Sequence, residues 1–177
     1  MAETTQEYNE IIDTCKSIYM KKMQDYGTSW RVLRPISIVD QIYIKAKRIR
    51  NIQELGEQKI EDEVLGEWKA IVNYGIIALI QLELDNETEW ELPKDKAESL
   101  YNKHQQETFE LMLAKNHDYG EAWRNMSQES FADLIITKLL RIKQILSNDG
   151  KTVASEGMDS NFRDIINYAV FAQILAV

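Results

Sequence analysis

Lys22 to Arg31 read K-M-Q-D-Y-G-T-S-W-R, and Lys115 to Arg124 read K-N-H-D-Y-G-E-A-W-R. The shared pattern, K-x-x-D-Y-G-x-x-W-R, recurs at an offset of 93 positions. The echo runs on: Ser37 matches Ser130, Asp40 matches Asp133, Lys45 matches Lys138, Arg48 matches Arg141 and Ile52 matches Ile145. After a one-residue insertion the offset is 94, pairing Ile71 with Ile165, Asn73 with Asn167, Tyr74 with Tyr168 and Ile80 with Ile174. A tandem duplication of this kind decides architecture before any local reading does.

The pattern around the motif is helical. Apolar residues recur at i, i+3 and i+4 with few glycines and only two prolines to interrupt them, and strand-like alternation is absent. The spacing predicts helices from about Thr5 to Gln24, Ile38 to Leu55 and Asp62 to Leu84. An acidic linker, residues 85–93, separates the copies. The second copy predicts helices from about Asp95 to Asn116, Ser130 to Leu146 and Met158 to Ala176, with a turn-rich loop from Ser147 to Glu156. Thr4-x-x-Glu7, Ser37-x-x-Asp40 and, at the same offset, Ser130-x-x-Asp133 read as capping boxes, in which hydroxyl and carboxylate satisfy the free N–H groups of a first turn. Gly27 reads as a helix stop, because glycine tolerates left-handed backbone.

The expected fold is all-α: a six-helix bundle made of two three-helix repeats, about residues 5–84 and 94–177, related by an internal pseudo-two-fold. Each repeat alone would be marginal on surface-to-volume grounds, so the two should form one compact domain with a shared core. The third helix of each repeat is apolar around most of its circumference and belongs at the centre.

With 177 residues and a net charge of −8, the chain lacks the basic surface that nucleic acid or anionic membranes require. A small phosphorylated ligand needs only a local cluster of cations. The one cysteine, Cys15, cannot form an intrachain disulfide, and two histidines are too few for a His-rich metal site. The first residues do not resemble a secretory signal, and the apolar stretches fall short of a membrane span. The expectation is a cytoplasmic protein, with a homodimer as one possible assembly.

Several residues are candidates for chemistry. Lys22, Asp25, Tyr26, Trp30 and Arg31, with Lys115, Asp118, Tyr119, Trp123 and Arg124, either plug the end of the bundle or line a nucleotide pocket. Lys45 with Arg48, and Lys138 with Arg141, place two cations on one helix face, suited to a polyphosphate or to ion pairs with a neighbouring helix. Asn73 and Asn167 either tie the central helices by hydrogen bonds or read a base edge. Glu156, Asp159 and Asp164 form an acidic set that repeat 1 lacks: their counterparts are Asp62, Leu65 and Ala70. With Asp133, these carboxylates are candidates for holding Mg²⁺, which takes a few carboxylates, water and phosphate oxygens. Helix-dipole complementation accounts for Glu156 and Asp159 equally well.

K-x-x-D-Y-G, the amphipathic helix with K-x-x-R-I, and the acids running into D-I-I-N-Y resemble the nucleotide modification-associated domain 1 family, once per repeat. That resemblance implies an association with nucleotide metabolism. The third helix is also distantly similar to MazG-type all-α nucleoside triphosphate pyrophosphatases. Glu156 and Asp159 would match their E-x-x-D element, while their E-E-x-x-E is missing and Glu129 and Asp133 are the nearest substitutes. These resemblances imply a Mg²⁺-dependent pyrophosphohydrolase acting on a canonical or modified nucleoside triphosphate. Lys115, Arg124, Lys138 and Arg141 would neutralise phosphate, and Tyr119 or Trp123 would stack on the base. The alternative is a non-catalytic nucleotide-binding or scaffold module.

Overall fold

The computed structural model describes residues 2–56, 61–152 and 156–176. Among these are six α-helices and no strand: α1 (Ala2–Tyr26), α2 (Pro35–Leu55), α3 (Glu61–Glu83), α4 (Lys94–Tyr119), α5 (Gln128–Ser147) and α6 (Met158–Leu175). A single 3₁₀ turn, Ser29–Val32 in repeat 1 and Ala122–Asn125 in repeat 2, follows the first helix of each.

The sequence periodicity selects the buried faces. Tyr8, Ile12, Cys15, Tyr19 and Met23 form the inner stripe of α1, and Ile38, Ile42, Ala46 and Ile49 that of α2. α3 and α6 make the most extensive helix–helix contact, as their all-round apolar character predicts. At their crossing Gly75 has no side chain to hold the helices apart: a Cβ there would lie 2.5 Å from Ile166 Cγ1. One hydrophobic cluster takes residues from all six helices. Burial of each large apolar side chain in it contributes roughly 1.5–3 kcal/mol. α1 packs on α6 and α4 on α3, so the first helix of each repeat leans on the last helix of the other. Cys15 is part of this core, and burial pushes its thiol up to about 12.

The three capping boxes are not formed. α1 begins at Ala2, which leaves Thr4 inside the first turn and buried. α2 begins at Pro35, whose fixed φ suits a first helical position, so Ser37 already lies within the helix. α5 is capped by Ser127, whose hydroxyl accepts from the Ser130 N–H at 3.3 Å. The freed carboxylates tie the repeats together instead. Asp40 pairs with Lys143 at 3.1 Å and Asp133 with Arg50 at 3.2 Å. The two pairs are pseudo-two-fold counterparts that link α2 to α5. Gly27 and Gly120, with positive φ of 61° and 62°, end α1 and α4 in backbone that favours glycine. No helix among the described residues is long and apolar enough to cross a membrane.

Candidate functional site

The D-Y-G-x-x-W-R motif sits where the first helix of each repeat gives way to its 3₁₀ turn, and it encloses a cavity against the third helix. In repeat 1 the cavity is about 290 Å³ and lies between the last turns of α1 and the face of α3 that carries Gly66, Lys69, Ala70, Asn73 and Ile77. In repeat 2 it is about 230 Å³ and lies between α4 and the face of α6 that carries Asp164, Asn167 and Phe171. Six lining positions are identical in the two copies: Lys22 and Lys115, Tyr26 and Tyr119, Gly27 and Gly120, Trp30 and Trp123, Asn73 and Asn167, Tyr74 and Tyr168.

These residues divide into walls and free groups. The asparagines are walls. Asn73 accepts from the Tyr101 hydroxyl at 2.8 Å and donates to the Cys15 carbonyl at 2.9 Å. Asn167 accepts from the Tyr8 hydroxyl at 2.6 Å and donates to the Thr108 carbonyl at 3.3 Å. Each therefore receives a tyrosine from the other repeat, and a buried amide with its groups satisfied has little left for a base edge. Trp123 is also a wall. It stacks on Phe171 at a centroid distance of 4.1 Å, gives its N–H to Asn116, and has the Arg124 guanidinium over its ring. The tyrosines at the mouth contrast with this: Tyr26 is 69% exposed and Tyr119 77%. Of the two rings considered for stacking in repeat 2, Tyr119 is the available one.

The motif arginines clamp the chain rather than line the cavities. Arg31 is buried and donates to the carbonyls of Glu87 and Glu89 and to Gln81 Oε1, holding the linker between repeats. Thr28 joins it, giving its hydroxyl proton to the Trp90 carbonyl. Arg124 holds the start of α1, donating to Thr4 Oγ1 and to Glu7 at 2.7 Å and to Glu121 at 3.0 Å; Thr4 is also bonded to Glu121. Asp25 and Asp118 are exposed on the last turns of their helices and line neither cavity.

The helical cation pair stays together on Glu67 in repeat 1 and separates in repeat 2. Arg48 faces Glu63 and Glu67, at 2.7 and 3.1 Å. Lys45 lies 3.8 Å from Glu67 and 5.9 Å from the centre of the Tyr74 ring. Arg141 is exposed and close enough to Tyr168 to act on its hydroxyl electrostatically. Lys138 is drawn inward to Asp164 at 2.9 Å. Asp164 also accepts from Lys115 at 2.7 Å, so one buried carboxylate bridges two ammonium groups. Burial alone would lower the Lys115 pKa, but the hydrogen bond and charge of Asp164, with Glu156 nearby, outweigh it and raise it.

The four carboxylates expected at a Mg²⁺ centre do not converge. Asp133 pairs with Arg50 on α2, Asp159 with Arg163 at 3.2 Å, and Asp164 is compensated by its two lysines. Glu156 and Glu129 are exposed. Among the described residues no group of three or more His, Cys, Asp or Glu could hold a metal ion. The four carboxylates, paired or apart as they are among the described residues, do not make a common metal site. The side chain of Asp62, the counterpart of Glu156, lies outside the described residues.

Several lining residues have no place in the sequence expectations. Lys69 is the most consequential, because it brings a second cation to the cavity of repeat 1. Its counterpart at the 94 offset is Arg163, also a cation, which turns instead to Glu107 and Asp159. The matching charge at that offset is the signal that could have found it.

The family model described as nucleotide modification associated domain 1 matches residues 22–82 and again residues 115–175. Each match spans one cavity, from the motif lysine to the third helix. No curated protein and no solved structure matches this chain.

Proposed function

The chain belongs to the nucleotide modification associated domain 1 family in both of its repeats, and on that footing we propose that it is a nucleotide-binding module with one cleft per repeat. The observation that carries this reading is the identity of six cavity-lining positions in two copies that differ over much of their remaining length. Packing alone accounts for the glycines, tryptophans and asparagines. It does not account for an exposed tyrosine and a lysine kept together at both mouths.

In this reading Tyr26 and Tyr119 are stacking platforms for a base, since every base has a π-face and an exposed ring gains by covering it. Lys22 neutralises phosphate at the repeat 1 cleft, whereas Lys115 at the repeat 2 cleft is paired with Asp164. The cavities, near or below the lower end of the usual range for ligand sites, would enclose only part of a nucleotide and leave the rest at the mouth. Mg²⁺ in this reading is a counter-ion that a triphosphate brings with it.

Titration calorimetry with the common and modified nucleotides tests the proposal. Tyr26→Ala and Tyr119→Ala should each remove stacking worth about 1–3 kcal/mol at its own cleft. Absence of binding by any member of the panel would sink the reading. Pyrophosphate release from triphosphates in the presence of Mg²⁺ would replace it with the hydrolase.

A further inference from the structure

The two clefts differ in charge, and the difference rests on two adjacent positions, 69 with its counterpart 163 and 70 with its counterpart 164. Where α6 carries Asp164 on the floor of the repeat 2 cleft, α3 carries Ala70 on the floor of the repeat 1 cleft. In repeat 2 the carboxylate bridges Lys115 and Lys138, and Glu156 acts on Lys115 from nearby. The cations of that cleft are already compensated before any ligand arrives. In repeat 1 two lysines, Lys22 and Lys69, line the cavity, and among the described residues no carboxylate lines it. Neither lysine has an ion-pair partner among the described residues. Two neighbouring acids are engaged elsewhere: Glu67 with Lys45 and Arg48, and Glu91, which lies against Gly27, with the Thr28 N–H.

We propose that the clefts take ligands of different charge: the repeat 1 cleft a phosphorylated nucleotide, held without a metal, and the repeat 2 cleft an uncharged nucleoside or base. Position 70, with its counterpart 164, selects between them. The proposal rests on the nucleotide-binding reading and adds the ligand class at each cleft. Its physical basis is that a phosphate entering the repeat 2 cleft must compete with Asp164 for the same ammonium groups, across a side chain only 8% exposed and therefore weakly screened. A phosphate entering the repeat 1 cleft meets two lysines that no carboxylate pairs with among the described residues. An uncharged nucleoside is indifferent to the bridge in repeat 2 and can leave it closed.

The experiment is calorimetric titration of the full chain with the four common ribonucleosides and, separately, their 5′-triphosphates, all in EDTA. Triphosphate should bind at one site per chain and nucleoside at one, without competing. Ala70→Asp should weaken triphosphate binding by about tenfold or more and leave nucleoside binding in place. Lys22→Gln, at an exposed side chain with no ion-pair partner among the described residues, should weaken triphosphate binding in the same direction. Asp164→Asn should raise the triphosphate stoichiometry from one to two. Equal triphosphate binding at both clefts of the unaltered chain would overturn the proposal, as would an Ala70→Asp or Lys22→Gln variant that binds triphosphate like the parent. If neither nucleosides nor triphosphates bind, the functional reading falls and this one falls with it.

Discussion

The Tyr8–Asn167 and Tyr101–Asn73 bonds allow a direct test of whether the repeats stand or fall together. Both tyrosines are fully buried, and each hydroxyl donates to the asparagine on the third helix of the other repeat. Burial pushes both phenols well above their usual range, so they remain donors at every working pH. Tyr8→Phe keeps the ring, which packs on Phe109 at 5.2 Å, and removes only the donor. The Asn167 oxygen then stays buried without the tyrosine hydrogen bond, at a cost of about 1–3 kcal/mol. Tyr101→Phe should cost a similar amount at Asn73, because its hydroxyl is likewise a buried donor to the asparagine of the other repeat. For a chain of this size each 1 kcal/mol is roughly 2–4 °C in Tm. Urea unfolding followed by circular dichroism should show, for either variant, a lower midpoint with an unchanged slope, since one shared core unfolds as one unit. A transition that splits in two would refute the shared core. A cost below about 0.5 kcal/mol would refute the assignment of these bonds as inter-repeat ties.

Further outcomes follow from other contacts. Gly75→Ala forces a methyl against Ile166 and should destabilise by about 1–3 kcal/mol in the same urea assay, through overpacking at the α3–α6 crossing. Arg31→Met leaves the Glu87 and Glu89 carbonyls without their donor and should cost about 2–4 kcal/mol. Arg124→Met, whose guanidinium is more exposed, should cost about 1 kcal/mol in that assay. His104 is buried in α4 beside Glu83, and burial lowers its pKa despite the pull of Glu83 and Glu107. A folded pKa below the unfolded value means stability is fully present above the unfolded value of about 6.5 and is lost as pH falls from there towards the folded one. Glu83 is held below the usual carboxylate range by its hydrogen bond to Lys103, so its contribution is lost in turn at more acid pH. His104→Ile, which installs the residue repeat 1 carries at Ile11, should flatten the first of these losses in Tm measured between neutral and mildly acid pH.

Much of the fold was legible because periodicity and duplication are local or repetitive signals. The six helices, the central place of the third helix in each repeat and the stop at Gly27 follow from spacing and from glycine's backbone freedom. The helix starts were less legible. Thr4, Asp40 and Asp133 have the right residue types for cap boxes, but each is drawn to a partner distant in sequence: Thr4 to Arg124, Asp40 to Lys143 and Asp133 to Arg50. A cap box is a four-residue pattern and carries no information about such partners. The tyrosine ties were within reach of the sequence, since Tyr8 and Tyr101 are also 93 apart, yet they lie before the motif where the echo is faint.

At the candidate site the division is sharper. The sequence by itself determined which residue types both copies retain, and so that each cleft carries a lysine, a tyrosine, a tryptophan and an asparagine. Which of those groups face a ligand and which are walls was decided only by the tertiary structure. Arg31 and Arg124 share a motif with Lys22 and Lys115, but packing sends the arginines to the linker and to α1 and leaves the lysines at the mouths. The acids Asp133, Glu156, Asp159 and Asp164 look like one set along the chain. In space Asp133 and Asp164 meet cations from other helices and Asp159 pairs with Arg163 one turn along its own, and Coulomb attraction between these close opposite charges takes precedence over any common focus. The asymmetry of the duplication was already visible as Asp164 opposite Ala70. The tertiary structure turned that difference from a lost metal site into a compensated cleft beside a cationic one, because only in three dimensions do Lys138 and Lys115 reach the same carboxylate.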